Sequence, residues 1–336
     1  MNRLLKCVAL GGTIAVLPLL NHSASAQDVQ LKLISQAPGA SWYSYGSTFG
    51  EIISASSGQH KIAVEVLPRG GGMANPLAVH TKAAELGFAT ANAAVWARDG
   101  IGKEFEGRPS KDIRTVVGGL QIAHTTVAAR KDYVQRTGND TFEKLVSATS
   151  LPRFVMKPTG SQVPIVADYM FQALGTGLEQ LRAKNAITQI STAQIAQMIR
   201  DGTADVYIEN APVGQATMAE VTLTTEMVFV PIPQKVLDFM TKLGAPAGVM
   251  PAGSYRGATA DYINPTSPTI LIAHKDVPDA VIYQATKALV ENAGKIGSTY
   301  PALSDWDPKA AAQPDQVVLD LHPGAARYYR EQGWIK

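Results

Sequence analysis

Cysteine is almost missing from this chain. The 336 residues hold a single one, Cys7, and it lies inside an apolar N-terminal stretch. Once that stretch is removed, neither disulfide staples nor thiolate chemistry remain available. Charge of one sign is lacking too. Thirty Lys and Arg stand against 28 Asp and Glu, a net of +2. That balance gives no basic field to hold nucleic acid. Beyond the first 20 residues no apolar run approaches the roughly 20 residues that a membrane-crossing helix needs. Catalytic signatures are absent as well: there is no P-loop, no HExxH and no GxSxG. His60, His80, His124, His274 and His322 are scattered, and none pairs at metal-ligand spacing. His124 reads as a hydrogen-bonded structural histidine. Ser161 would count as a nucleophile only with a base beside it. No enzyme, metal or cofactor is expected.

What is present starts with a leader. Arg3 and Lys6 precede the apolar segment Cys7 to Leu20, and Ala24-Ser25-Ala26 follows. A positive start, a short apolar core and a small-x-small site make a secretory signal peptide over residues 1–26. The expected mature chain begins near Gln27 and lies outside the cytoplasm, in the periplasm. Roughly 310 remaining residues exceed what one hydrophobic core usually serves, so two lobes are expected. An apolar fraction of 46% is that of an ordinary globular protein.

The organising stretch is Ile62 to Trp96. Ile62 to Leu67 has strand composition, Pro68 ends it, and Gly70, Gly71 and Gly72 make a tight turn. Asn75-Pro76 offers helix-start chemistry, with a helix carried to Gly87 and a strand over 88–91. Free N–H groups at such a helix start, those of Gly71, Gly72 and Met73, form an expected anion seat. Two further small-residue turns repeat the arrangement. Ala37 to Tyr43 opens an aromatic helix in which Ser41 is a plausible N-cap and Trp42 and Tyr43 crowd one turn. Lys157-Pro158-Thr159-Gly160-Ser161-Gln162 opens a helix over 163–174. Strand–turn–helix repetition predicts an α/β fold with doubly wound sheets.

Chain crossings are expected near Leu120 to Ala123 and Val230 to Pro233. They divide the chain into lobe I (27–121 plus 233–336) and lobe II (122–232). Glu209 and Asn210 end a strand, Val206 to Ile208, and a carboxylate there points either to the cleft or to a solvated loop. The tail LHPGAARYYREQGW reads as a closing helix on the first lobe.

These pieces together resemble the TAXI family of extracytoplasmic solute-binding proteins, which serve tripartite ATP-independent periplasmic (TRAP) transporters. The resemblance covers essentially the whole mature chain. It is carried by VLPRGGGMANPLAVHTKAAELGFATAN, PGASWYSYGSTFGEIIS, KPTGSQ, VMPAGSYRG and LHPGAARYYREQGW. It implies a two-lobed periplasmic-binding-protein fold of type II, with a cleft between the lobes that closes on a small organic anion. Glutamate-like or dicarboxylate ligands are implied, as are the membrane permease subunits of a TRAP transporter as partner, with the chain itself a monomer. A sensing role, or an enzyme on the same scaffold, are the alternatives.

Five positions depart from the family pattern. Met73 stands where a serine is common, Asn92 where an aspartate is usual, Arg69 precedes the glycines, and Glu209-Asn210 replaces aromatic or small residues. Arg69 and Glu209 are therefore the expected selectors of ligand. Either Glu209 accepts from a ligand ammonium or hydroxyl, or it pairs with Arg69 and latches the lobes.

Overall fold

The computed structural model describes residues 29–38, 40–56, 61–102, 105–158 and 161–336. The leader expected over residues 1–26 lies outside them, as do Thr159 and Gly160. The first half alternates strand and helix: β1 (Val29–Ile34), α1 (Ser41–Ala55), β2 (Ile62–Leu67), α2 (Ala74–His80), β3 (Leu86–Thr90), α3 (Ala91–Asp99) and β4 (Ile113–Val117). Then come β5 (Ile122–Arg130), β6 (Phe154–Met156), β7 (Ile187–Gln189), β8 (Val206–Ala211), β9 (Met227–Phe229), β10 (Ala247–Met250) and β11 (Tyr262–His274).

One continuous sheet carries both lobes, in the order β2-β1-β3-β11-β5-β8-β6-β7. At one end β1 pairs in parallel with β2 and β3; at the other, β6 pairs in parallel with β7 and β8. Two antiparallel strands join these triplets. β11 pairs with β3 over Thr269 to Ala273 and with β5 over Thr266 to Pro268. β5 continues from there against β8. The segment expected to cross back, near Val230 to Pro233, follows β9. That strand pairs with the far end of β5, at Ala128 to Arg130.

The strands at the centre of each lobe are covered on both faces, β3 and β6 being buried at every residue. Behind the first triplet, Phe49 of α1 meets Phe88 of β3 edge-on at 5.5 Å, and both are fully buried. Phe154 and Phe171 do the same at 5.5 Å in the second lobe. Each such side chain contributes about 1.5–3 kcal/mol on leaving water. α3, unforeseen in the sequence, reaches across. Its Trp96 packs on Tyr169 of the helix Val163–Gln172 at 5.1 Å, so the two lobes share core at that point. The closing helix, Pro323–Glu331, packs on the first lobe as expected, with the Tyr329 hydroxyl donating to Val116 O at 3.0 Å.

That helix has an unusual cap. His322 is fully buried, and its Nδ1 accepts from Gly324 N at 3.2 Å, which only an unprotonated nitrogen can do. Burial lowers the His322 pKa below its ordinary value of 6.5, and burial lowers that of His124 as well. With the folded pKa depressed, the unfolded chain binds protons first, so stability rises with pH. The contribution is whole above about pH 6.5 and is lost as pH falls below it. Denaturation midpoints should therefore drop between pH 7.5 and 5.5. His322→Asn keeps a capping oxygen without a titrating ring and should flatten that slope. An equal slope in the variant would assign the pH dependence elsewhere.

Candidate ligand cleft

Carboxyl ends of the parallel strands β1, β2 and β3 converge on one crevice, the usual place for a ligand in an open α/β sheet. There the Ser35 hydroxyl donates to Leu67 O at 2.9 Å and ties the ends of β1 and β2 together. After Leu67 the chain makes its glycine turn, and Asn75 holds the turn. The Asn75 Nδ2 donates to Ser35 O at 2.9 Å and to Phe88 O at 2.8 Å, while its Oδ1 accepts from Gly71 N at 2.8 Å. One fully buried amide thus pins the turn to the ends of β1 and β3. Gly70 has φ +101°, and a Cβ there would lie 2.1 Å from Asn75 Oδ1. Only glycine fits. α2 begins at Ala74 after the N-cap Met73, so Asn75-Pro76 lies in its first turn as expected, while the Asn75 side chain holds the glycine turn.

Across the crevice stand Ser161 and Gln162, before the helix Val163–Gln172 of the second lobe. Gln162 reaches over: its Nε2 donates to Asn92 Oδ1 at 2.7 Å, and its Oε1 accepts from Thr90 Oγ1 at 3.3 Å. Between the lobes a cavity of about 490 Å³ is lined by Gln36, Trp42, Gly70, Gly71, Gly72, Met73, Ala74, Thr90, Ser161 and Gln162. Gly72 marks its middle. A Cβ added there would sit 3.8 Å from both Thr90 Oγ1 and the Trp42 ring, and 3.9 Å from Gln162 Oε1.

Six of the expected site residues therefore meet in one place: Trp42, Gly71, Gly72, Met73, Ser161 and Gln162. Asn92 lies just behind Gln162. The anion seat is narrower than expected. Gly71 N is occupied by Asn75, and both Ser161 N and the Ser161 hydroxyl donate to Pro158 O, at 3.2 and 2.9 Å. Gly72 N and Met73 N take no hydrogen bond among the described residues and remain open to a ligand. Trp42 is buried against Phe88, whereas Tyr43 is half-buried and lines no part of the cavity. Ser41 is exposed at the first residue of α1; the N-cap is Ala40, with no side-chain cap.

Arg69 and Glu209 do not meet. Arg69 is exposed, outside the cavity lining, and forms no ion pair among the described residues. Glu209 is buried in the second lobe. Its Oε1 lies 3.0 Å from Lys157 Nζ and accepts from Asn210 N at 2.9 Å, and its Oε2 accepts from the Tyr207 hydroxyl. Burial first, and the Glu209 charge second, push the Tyr207 pKa far up, which keeps that hydroxyl a donor. Asn210 donates to Thr125 Oγ1 at 2.7 Å and Ser267 Oγ at 3.4 Å, bridging β8, β5 and β11. Both residues stabilise the sheet. Asn75, Thr90 and Lys157 are the contributors that sequence reasoning passed over.

The model of the NMT1-like family matches residues 35–333. The chain belongs to that family. Among solved structures, this NMT1-like chain is similar to a putative sulfonate ABC transporter component, the periplasmic sulfonate-binding protein SsuA from Methylobacillus flagellatus. Identity is 11%, the match covers 92% of this chain and 96% of that one, and the TM-score is 0.51. It also matches XAC2383 from Xanthomonas citri bound to ATP (12% identity, 92% and 100% covered, TM-score 0.49). A third match is a TRAP periplasmic solute-binding protein from Ochrobactrum anthropi (13%, 91% and 88%, 0.45). At such identities the first likeness carries the fold alone, and that fold is the two-lobed periplasmic-binding-protein fold of type II.

Proposed function

We propose that this chain is an extracytoplasmic solute-binding protein of the TAXI type, which captures a small organic anion and delivers it to the permease subunits of a TRAP transporter. The observation that carries the reading is the cavity between the lobes. It presents two unengaged backbone N–H groups, of Gly72 and Met73, opposite a glutamine that hydrogen-bonds across the gap. Backbone donors hold a carboxylate without a full cation. Among the described residues no Lys or Arg lines the cavity, so a monocarboxylate of amino-acid or hydroxy-acid size suits it better than a dicarboxylate. Exposed Arg69, one residue before the turn, is placed to attract an anion toward the mouth. The protein would work as a periplasmic monomer.

Closure in this reading turns about β5 and β11, the two strands that belong to both ends of the sheet. The lobes then divide at residues 121–124 and 265–269, and the segment 233–261 moves with lobe II. Mass spectrometry of the native protein identifies the co-purifying ligand, and scattering with and without it should show compaction. Gln162→Ala removes two hydrogen bonds made only when the lobes meet. At about 1 kcal/mol each, affinity should fall roughly 5- to 30-fold with little loss of stability. Unchanged affinity in the variant, or no compaction, would overturn the assignment.

A further inference from the structure

A second cavity, of about 510 Å³, also lies between the lobes, and it shares no lining residue with the cleft. Its floor is the start of β5, at Ile122 and His124. Trp306 forms the lobe I wall; its indole N–H donates to Gly118 O at 3.1 Å, which fixes the ring. Pro212, Val213 and Val249 form the opposite wall. Val213 and Val249 are 44% and 52% exposed, although valine gains by burial. Apolar surface is thus held open on one side of a gap with a fixed indole on the other.

Gln121 lines this cavity with an amide that both donates and accepts, and its other polar side chains, those of His124, Ser254 and Asp305, are acceptors. His124 Nδ1 sits 3.2 Å from Asn264 Oδ1, and Asn264 Nδ2 donates to Tyr262 O at 2.9 Å. The amide orientation is therefore set, its oxygen faces the ring, and Nδ1 must carry the proton. The neutral imidazole presents the lone pair of Nε2, which takes no hydrogen bond among the described residues. Ser254 donates its hydroxyl hydrogen to Pro251 O at 2.7 Å and can only accept from anything further. Asp305 adds a carboxylate at the rim, and among the described residues no Lys or Arg lines the space. Acceptors on apolar walls select a donor on an apolar body.

We propose that this cavity is a second ligand site, taking a small organic ammonium with an apolar body of about one ring. The ammonium donates to His124 Nε2 and faces Asp305, while the body lies between Trp306 and Val249. Because the walls belong to different lobes, the site is complete only at one lobe separation. Its occupant therefore biases the same equilibrium that opens and closes the cleft, and the two sites are coupled reciprocally.

The probe is 2-phenylethylamine, titrated into the full chain by calorimetry and followed at the His124 imidazole nitrogens by NMR. Phenylacetate, of matching shape and opposite charge, is the control. The amine should saturate below about 10 mM and shift the Nε2 signal, with phenylacetate at least about tenfold weaker. Val249→Trp fills the cavity from an exposed position and should weaken the amine by about tenfold or more. Ala302→Trp does so from the other wall, and thermal melts show which variants are folded. No saturation by the amine, equal binding of the acid, or unchanged affinity in a folded Trp variant would each overturn the proposal.

Discussion

Asn75→Asp should be among the most damaging single substitutions in this chain, although it exchanges one NH2 group for an oxygen. Asn75 Nδ2 donates to Ser35 O and Phe88 O from a fully buried position. A carboxylate of the same shape has no donor and would face two carbonyl oxygens at about hydrogen-bond distance. Each carbonyl left unpaired in the interior costs about 1–3 kcal/mol, and the buried charge adds to that, so a loss of about 4–6 kcal/mol is expected. This is a large part of the 5–15 kcal/mol that holds a typical domain together. Asn75→Ala removes the same bonds without adding charge and should cost less, about 3–4 kcal/mol. Gly70→Ala strikes the same network from the other side, because its Cβ would collide with Asn75 Oδ1 at 2.1 Å. The losses from Gly70→Ala and Asn75→Ala should therefore combine to less than their sum. Urea denaturation of the three single variants and the double variant checks this. An Ala or Asp variant as stable as the wild type would show that the amide does not hold the turn.

The same residue shows what the sequence made legible and what it did not. Local chemistry announced the strand from Ile62, the glycine turn and a helix after Pro76, because composition and turn residues act within a few positions. Asn75 gave no such signal, since its partners are Ser35 and Phe88, 40 and 13 residues away. The helix expected as far as Gly87 ends at His80, and Leu86 and Gly87 open β3 instead. α3 went unread because Ala91 to Ala97 is buried on every side, which erases the amphipathic period. β11 runs unbroken from Tyr262 to His274. Pro265 and Pro268 argue against a strand by propensity, and they are tolerated where the strand exchanges one set of partners for another. Repetition of three strand–turn–helix junctions gave the fold class correctly, and the turns of Gly70 to Met73 and Ser161-Gln162 do face each other. A pairing of Arg69 with Glu209 is one of two arrangements that their charges and their places at a turn and a strand end allow, and neither feature says which partner lies nearer in space.

Lys157→Met tests that nearer partner. Glu209 has a side chain only 2% exposed, and Lys157 Nζ, 3.0 Å away, is its only cation among the described residues. Taking away the ammonium leaves a carboxylate in the interior with the Tyr207 hydroxyl and Asn210 N as its remaining donors. Breaking a buried pair from one side costs about 3–5 kcal/mol, far more than the pair adds when intact, because desolvation of the survivor is no longer offset. Lys157→Met should therefore lower the denaturation midpoint sharply. Glu209→Gln should be milder, since the stranded ammonium keeps a side chain 23% exposed and can turn to water. The double variant should regain most of the loss, since the oxygen of the new amide could accept from Asn210 N while its NH2 donates to the Tyr207 oxygen, with no charge to satisfy. Ligand affinity separates this account from the one in which Glu209 selects the ligand. Lys157 opens the turn that carries Ser161 and Gln162, so Lys157→Met should weaken binding by loosening that turn. Glu209→Gln in the Lys157→Met background should then restore affinity along with stability. A double variant that folds as well as the wild type yet binds no ligand would put Glu209 back in the cleft.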